Sequence, residues 1–149
     1  RPHRKVTPMN NPVLRNVGLL VARVVIGIVF LAHGLQKVNQ GYSATKAGFE
    51  GMDVPVPALS AFYATWVETL GGIALIIGLL VPVFGVLLLV NMLGAFFFVH
   101  IGNGIYVTDG GWELVGALGA GALVLAVVGA GAYSVDALLG RRVRFLQTA

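Results

Sequence analysis

The chain has no cysteine and very little charge, and these two shortages exclude a good deal before any motif is considered. Without cysteine it forms no disulfide, offers no thiolate nucleophile and ligates no iron–sulfur cluster, so an electron carrier would have to be borrowed. Only 11% of its 149 residues are charged, where a soluble domain keeps roughly a quarter. The apolar runs do not alternate with period two, which excludes a β-barrel. There is no repeat in the range of about 20–50 residues that marks solenoids and arrays, and no low-complexity segment.

What the chain has in quantity is apolar sequence: 57% of its residues are hydrophobic, with a mean hydropathy of +0.87. This apolar material falls into four runs, at about 14–38, 58–80, 83–101 and 112–139. Each supplies roughly 20 or more residues, enough at about 1.5 Å per residue to cross a hydrocarbon core of about 30 Å. The first run is too long for a signal-peptide core and no small-residue cleavage site follows it, so it reads as a retained span. The expected fold is therefore all-α, an integral membrane four-helix bundle. Residues 1–13 are expected as a cytoplasmic tail, 14–140 as the four-span domain and 141–149 as a basic cytoplasmic tail. A polar loop is expected over 39–57, a tight turn at Pro82, and a glycine-rich loop over 102–111 (GNGIYVTDGG).

A net charge of +4 and a pI near 9.9 would suit nucleic acid if the basic residues formed a stripe. They do not. Arg1, Arg4, Lys5 and Arg15 lie before or at the very start of the first run, and Arg141, Arg142 and Arg144 follow the last. That distribution points to the lipid bilayer as partner, with no nucleic acid. Because positive residues stay inside, it predicts a multi-pass protein of the cell membrane with both termini cytoplasmic.

The informative residues are polar ones within the runs, because an Arg, Lys or Asp at a helix centre costs about 2.5–3.5 kcal/mol and must face inward. Arg23 lies roughly 14 Å in from the inner side and Glu68 roughly 15 Å in from the outer side, which predicts a buried pair between them, with Asn91 in reach. Such a pair either fixes helix register or serves as a proton or ligand site. Arg23, Gly27, Phe30, His33, Gly34 and Lys37 share one arc of the first helix. Ala61, Ala64, Thr65, Glu68, Gly71 and Gly72 share one on the second, and Glu113, Gly116, Ala117 and Ala120 one on the fourth. Faces this small allow close helix packing.

A second polar layer lies toward the outer surface: His33, Lys37, His100, Asn103, Trp112 and Glu113. Taken singly, Lys37, Trp112 and Glu113 read as interfacial anchors. His33 and Lys37 together, one turn apart on the inward arc, predict a pocket between the first, third and fourth spans, completed by Glu113 as a base or as a partner for Lys37. A haem between His33 and His100 is disfavoured, because on a continuous helix His100 lies about 180° from Asn91. No metal is expected, for want of cysteine and of a carboxylate at reliable spacing.

These residues also carry a resemblance. Arg23…Gly27…His33-Gly34…Lys37 resembles the RxxxG…HGxxK signature of DoxX-family membrane proteins. Val67-Glu68…Gly71-Gly72 with Gly78-Leu79, Ala95…His100…Asn103-Gly104, and Gly129…Gly131…Ser134…Asp136 resemble that family's later elements, in order. The resemblance implies a four-helix membrane bundle. It implies by analogy a quinone-interacting membrane subunit of an oxidoreductase complex, linked to sulfur compounds or oxidative stress. On that analogy the cofactor is a borrowed quinone or menaquinone, with none intrinsic, and the partners are soluble or membrane redox proteins or further copies of the chain. His33, Lys37 and Glu68 are then the expected catalytic residues, and Arg23, Asn91, His100 and Glu113 the ligand-binding ones. Asp136, near the inner end, is expected to pair with Arg15 or the C-terminal arginines. The competing reading is a non-catalytic anchor or scaffold that recruits soluble redox enzymes. A permease is poorly served by four short spans without a broken-helix repeat.

Overall fold

A computed structural model of the protein describes residues 11–140; the terminal arginines and most of both expected tails lie outside that range. The described residues form helices and no strand. α1 (Pro12–Gln40) begins where Asn11 accepts hydrogen bonds from the amides of Val13 and Leu14, with Pro12 at the first helical position, and it ends at Gly41. The segment expected as a loop contains a helix of its own, α2 (Tyr42–Gly51). α2 is tied to α1 by the buried Thr45, whose hydroxyl donates toward the carbonyls of Lys37 and Gly41 and accepts from Gln40.

α3 (Pro57–Ile77) ends at Gly78, which has φ of 76°, and α4 (Val81–Ala95) starts three residues later. Beyond Ala95 the helix widens into a π turn over Phe96–His100, then tightens over Ile101–Asn103. α5 (Glu113–Val128) stops at Gly129, φ 89°, and a short α6 (Val135–Gly140) follows. The fourth apolar run is therefore not one helix to residue 139: glycines with positive φ at 129 and 131 interrupt it. Pro12–Gln40, Pro57–Ile77 and Val81–Asn103 are long and apolar enough to cross a membrane. α5 is apolar but, at 16 residues, only about 24 Å long.

α1 packs along α3, α3 against α4, and α4 against α5, with α1 also touching α5. The core contains Phe30, Leu75, Leu88, Met92, Ala122 and Leu125. The α1–α3 contact is set by glycines. A Cβ on Gly27 would lie 2.8 Å from the Gly72 carbonyl, and one on Gly34 would lie 2.5 Å from the Thr69 amide. The expected inward arcs of α1 and α3 are the buried ones: Arg23, Gly27, Phe30 and Gly34 on one, all six named residues on the other. The face expected on the fourth run is not. Glu113, Ala117 and Ala120 are exposed, while Gly119, Ala122 and Leu125 are buried, because Gly119 lies against Met92 and Ala126 against Gly85. Val17, Val21, Val25 and Ile28 on α1, and Val83, Val86 and Val90 on α4, point outward, an apolar exterior suited to lipid.

Candidate functional site

The register of the α1–α3 contact decides which charges meet. With Gly27 opposite Gly72 and Gly34 opposite Thr69, Lys37 comes to Glu68 and Arg23 comes to the end of α3. The expected Arg23–Glu68 pair does not form. Glu68 is seven residues before Leu75, the α3 residue Arg23 does reach, or about 10 Å along the helix.

Arg23 is 1% exposed and satisfies backbone instead of a carboxylate. Its Nε donates to the Leu75 carbonyl at 2.7 Å, and its two terminal nitrogens donate to the carbonyls of Ala130 and Tyr133. The first acceptor belongs to the last turn of α3, where carbonyls lack helical partners; the other two belong to the irregular stretch after α5. Asn16 pins the same stretch by accepting from the amide of Ala132. Asp136, also 1% exposed, makes no ion pair with Arg15, one of its expected partners, and the C-terminal arginines lie outside the described residues; its two carboxylate oxygens accept from the amides of Leu80 and Val81 at 2.6 and 2.9 Å. It therefore caps α4 from across the bundle. A Cβ on Gly78 would collide with Ser134 and come within 3.0 Å of the Arg23 guanidinium, which accounts for a glycine there. Arg23, Gly78, Ser134 and Asp136 form a structural node where α3 ends and α4 begins. Arg23 is not among the residues that line the cavity in the other half of the bundle.

In the other half of the bundle lies a cavity of about 600 Å³. His33 and Lys37 from α1, Tyr63 and Glu68 from α3, and Asn91 from α4 line it, as does His100 at the end of the π turn. The rest of the wall is mostly apolar: Phe49, Met52 and Val54 from the α2 region, Phe98 and Val99, and Leu114, Val115 and Leu118 from α5. Asn91 and His100 face the same cavity because the chain between them is not a continuous α-helix. The π turn holds Phe96–His100 in wider i→i+5 winding, so the count of 100° per residue overruns the true rotation. Glu113 is exposed and outside this wall, and Lys37 pairs with Glu68 instead.

Lys37 Nζ lies 2.6 Å from Glu68 Oε2, and Glu68 is 5% exposed. The ammonium approaches off the hydrogen-bonding direction, so this oxygen is paired by charge and has no directed hydrogen bond. The neighbouring polar groups are otherwise engaged. The Thr65 and Thr69 hydroxyls donate to carbonyls one turn back, and the Tyr63 hydroxyl donates to the Leu87 carbonyl at 2.7 Å. His33 Nδ1 is 2.7 Å from the Val29 carbonyl and His100 Nδ1 is 2.6 Å from the Gly110 carbonyl. Among the described residues no three His, Asp or Glu side chains gather as a metal site requires. Chemically, the arrangement offers a charged donor, a carboxylate and two imidazoles to a small, largely apolar molecule. Residues 49–54 were not singled out by sequence reasoning because α2 reads as a polar loop; Tyr63, a polar aromatic in mid-span, was the available signal.

The family model described as DoxX matches residues 18–101, which include every polar residue of the cavity wall. The putative oxidoreductase CatD of Bacillus subtilis (strain 168) is 34% identical over 79 residues, 53% of this chain and 57% of that protein, so only a little over half of its length is matched. The inner membrane protein YqjF of Escherichia coli (strain K12) is 33% identical over 130 residues, covering 87% of this chain and 97% of that one. The inner membrane protein YphA of the same organism is 29% identical over 131 residues, covering 82% and 90%. No solved structure matches the chain.

Proposed function

Since the chain belongs to the DoxX family of membrane proteins, we propose that it is the membrane subunit of a redox complex and binds a quinone of the menaquinone type in the outer-half cavity. The observation that carries this reading is the Lys37–Glu68 pair set in the wall of an otherwise largely apolar cavity. A buried ion pair is a poor stabiliser compared with apolar packing of the same volume, so its presence beside empty space favours a use other than stability. An apolar ring fits the walls. Lys37 donates to a ring oxygen, Glu68 holds Lys37 and exchanges its proton, His33 receives a proton, and Asn91 and His100 orient the ring. A relative named putative oxidoreductase agrees with a redox role.

In the same reading residues 14–140 cross the membrane four times, with both termini in the cytoplasm. The fourth crossing consists of α5 and the irregular stretch beyond it. Broken backbone is tolerated at membrane depth only when the protein satisfies it, and Arg23 and Asn16 do so for Ala130, Ala132 and Tyr133. Soluble redox partners would dock on the cytoplasmic side.

The test is native purification followed by lipid extraction and mass spectrometry, with quinone binding measured for the wild type and for His33→Ala and Lys37→Met. Quinone should copurify with the wild type, and both variants should insert and fold but lose it. If no quinone copurifies and added quinone does not bind, the anchor or scaffold reading replaces this one.

A further inference from the structure

The two histidines of the cavity are held in the same chemical state by the same device. His33 and His100 each place Nδ1 within 2.7 Å of a backbone carbonyl oxygen, and a carbonyl only accepts. In the neutral imidazole Nδ1 therefore carries the proton, and Nε2 is an acceptor with a free lone pair. Both rings line the cavity, so Nε2 is the nitrogen left for an occupant. Of the groups facing the space, Lys37 is the strong donor.

This inventory discriminates between the two redox states of a ring ligand. A quinone presents only carbonyl oxygens, which accept and would meet the histidine lone pairs with repulsion. A quinol presents hydroxyls, which donate to Nε2 and still accept from Lys37. We infer that the cavity selects the hydroxyl-bearing, reduced form of its ligand, with His33 and His100 as the residues that read the hydroxyl hydrogens. The inference rests on the quinone reading of this cavity and deepens it.

A metal or haem would use the same two nitrogens, since ligating histidines also donate their second N–H to a carbonyl. A metal ion held by protein side chains alone needs a third ligand group, and among the described residues none gathers there.

The experiment is a binding titration of the full chain in nanodiscs at about pH 8. The probes are menadiol and menadione, the first kept reduced under argon with dithionite. Menadiol should bind at least tenfold tighter than menadione, as two hydrogen bonds of ordinary strength allow. His33→Phe and His100→Phe should each lower menadiol affinity by more than menadione affinity, so that the preference for menadiol falls by about threefold to tenfold. His100→Gln, whose amide oxygen accepts, should restore part of the loss. Equal or tighter binding of menadione overturns the inference but leaves the quinone reading standing. Binding of neither probe overturns both. A Soret band or stoichiometric metal in the purified protein assigns the two nitrogens to a metal and also overturns the inference.

Discussion

If Lys37 pairs with Glu68 while Arg23 serves backbone carbonyls, two double-mutant cycles sharing Glu68 should give opposite results. Lys37→Met alone strands a carboxylate that is 5% exposed, and Glu68→Gln alone strands the ammonium that lies 2.6 Å from it. Breaking one side of a buried pair costs about 3–5 kcal/mol, much of it the cost of the abandoned charge. The double change removes both charges and should cost less than the sum, giving a coupling of about 1–3 kcal/mol. Arg23→Met removes three charge-assisted hydrogen bonds, to Leu75, Ala130 and Tyr133, each worth about 1.5–3 kcal/mol. Relief of the buried guanidinium offsets part of that, leaving a net loss of about 3 kcal/mol or more. Combined with Glu68→Gln, however, it should add within about 0.5 kcal/mol, because the two sites share no partner. Stability is read from unfolding in mixed micelles of dodecylmaltoside and increasing dodecyl sulfate. A coupling above about 1 kcal/mol between Arg23 and Glu68, with none between Lys37 and Glu68, would refute the register described here.

The remaining predictions concern packing, capping and topology. Gly34→Ala should destabilise by about 3 kcal/mol or more, since the new methyl meets the Thr69 backbone rather than a yielding side chain. Gly18→Ala, with nothing within 4 Å, should be neutral or mildly stabilising in the same micelle unfolding assay. Asp136→Ala should cost about 2 kcal/mol by uncapping Leu80 and Val81, while Asp136→Asn, which keeps one acceptor, should cost about half as much. Amide exchange at those two positions should rise accordingly. Reporter fusions after residue 5 and at residue 149 should report cytoplasm, and tags beside Lys46 and Thr108 should be labelled from outside; labelling of Lys46 only from within would reverse the orientation.

The inward faces of α1 and α3 were legible because small and polar residues recur at helical spacing, and that spacing alone says which side is buried. The partners across the contact were not legible. Depth counted from the ends of hydrophobic runs matched Arg23 to Glu68, yet the helices settle where Gly27 and Gly34 let backbone approach backbone. α2 escaped notice because its sequence carries two glycines, a lysine and a glutamate. What makes it a packed helix is Thr45, buried by hydrogen bonds to the end of α1 that no periodicity reveals. The π turn was invisible for a related reason: Phe96–His100 reads as ordinary apolar helix, and one wide turn changes which side His100 faces.

The division of labour between Arg23 and Lys37 follows from that register. An arginine carries donors in a fixed fork that can satisfy several carbonyls at once, and this bundle presents such carbonyls where α3 ends and where the fourth run is interrupted. A lysine has a compact, mobile charge suited to one carboxylate and one exchanging ligand. Exchanging the two, as Arg23→Lys with Lys37→Arg, therefore should not conserve either site. Lysine at 23 cannot reach three carbonyls in a fork, so the break after α5 loses its cover. Arginine at 37 fills cavity space with a rigid, permanently charged plane. The double exchange keeps charge and count, so an effect as large as Arg23→Met in the unfolding assay would show that geometry, not charge, holds the end of α3 to the stretch after α5. Stability equal to the wild type would mean that any cation suffices there, and that Arg23 does not act as the carbonyl clamp described here.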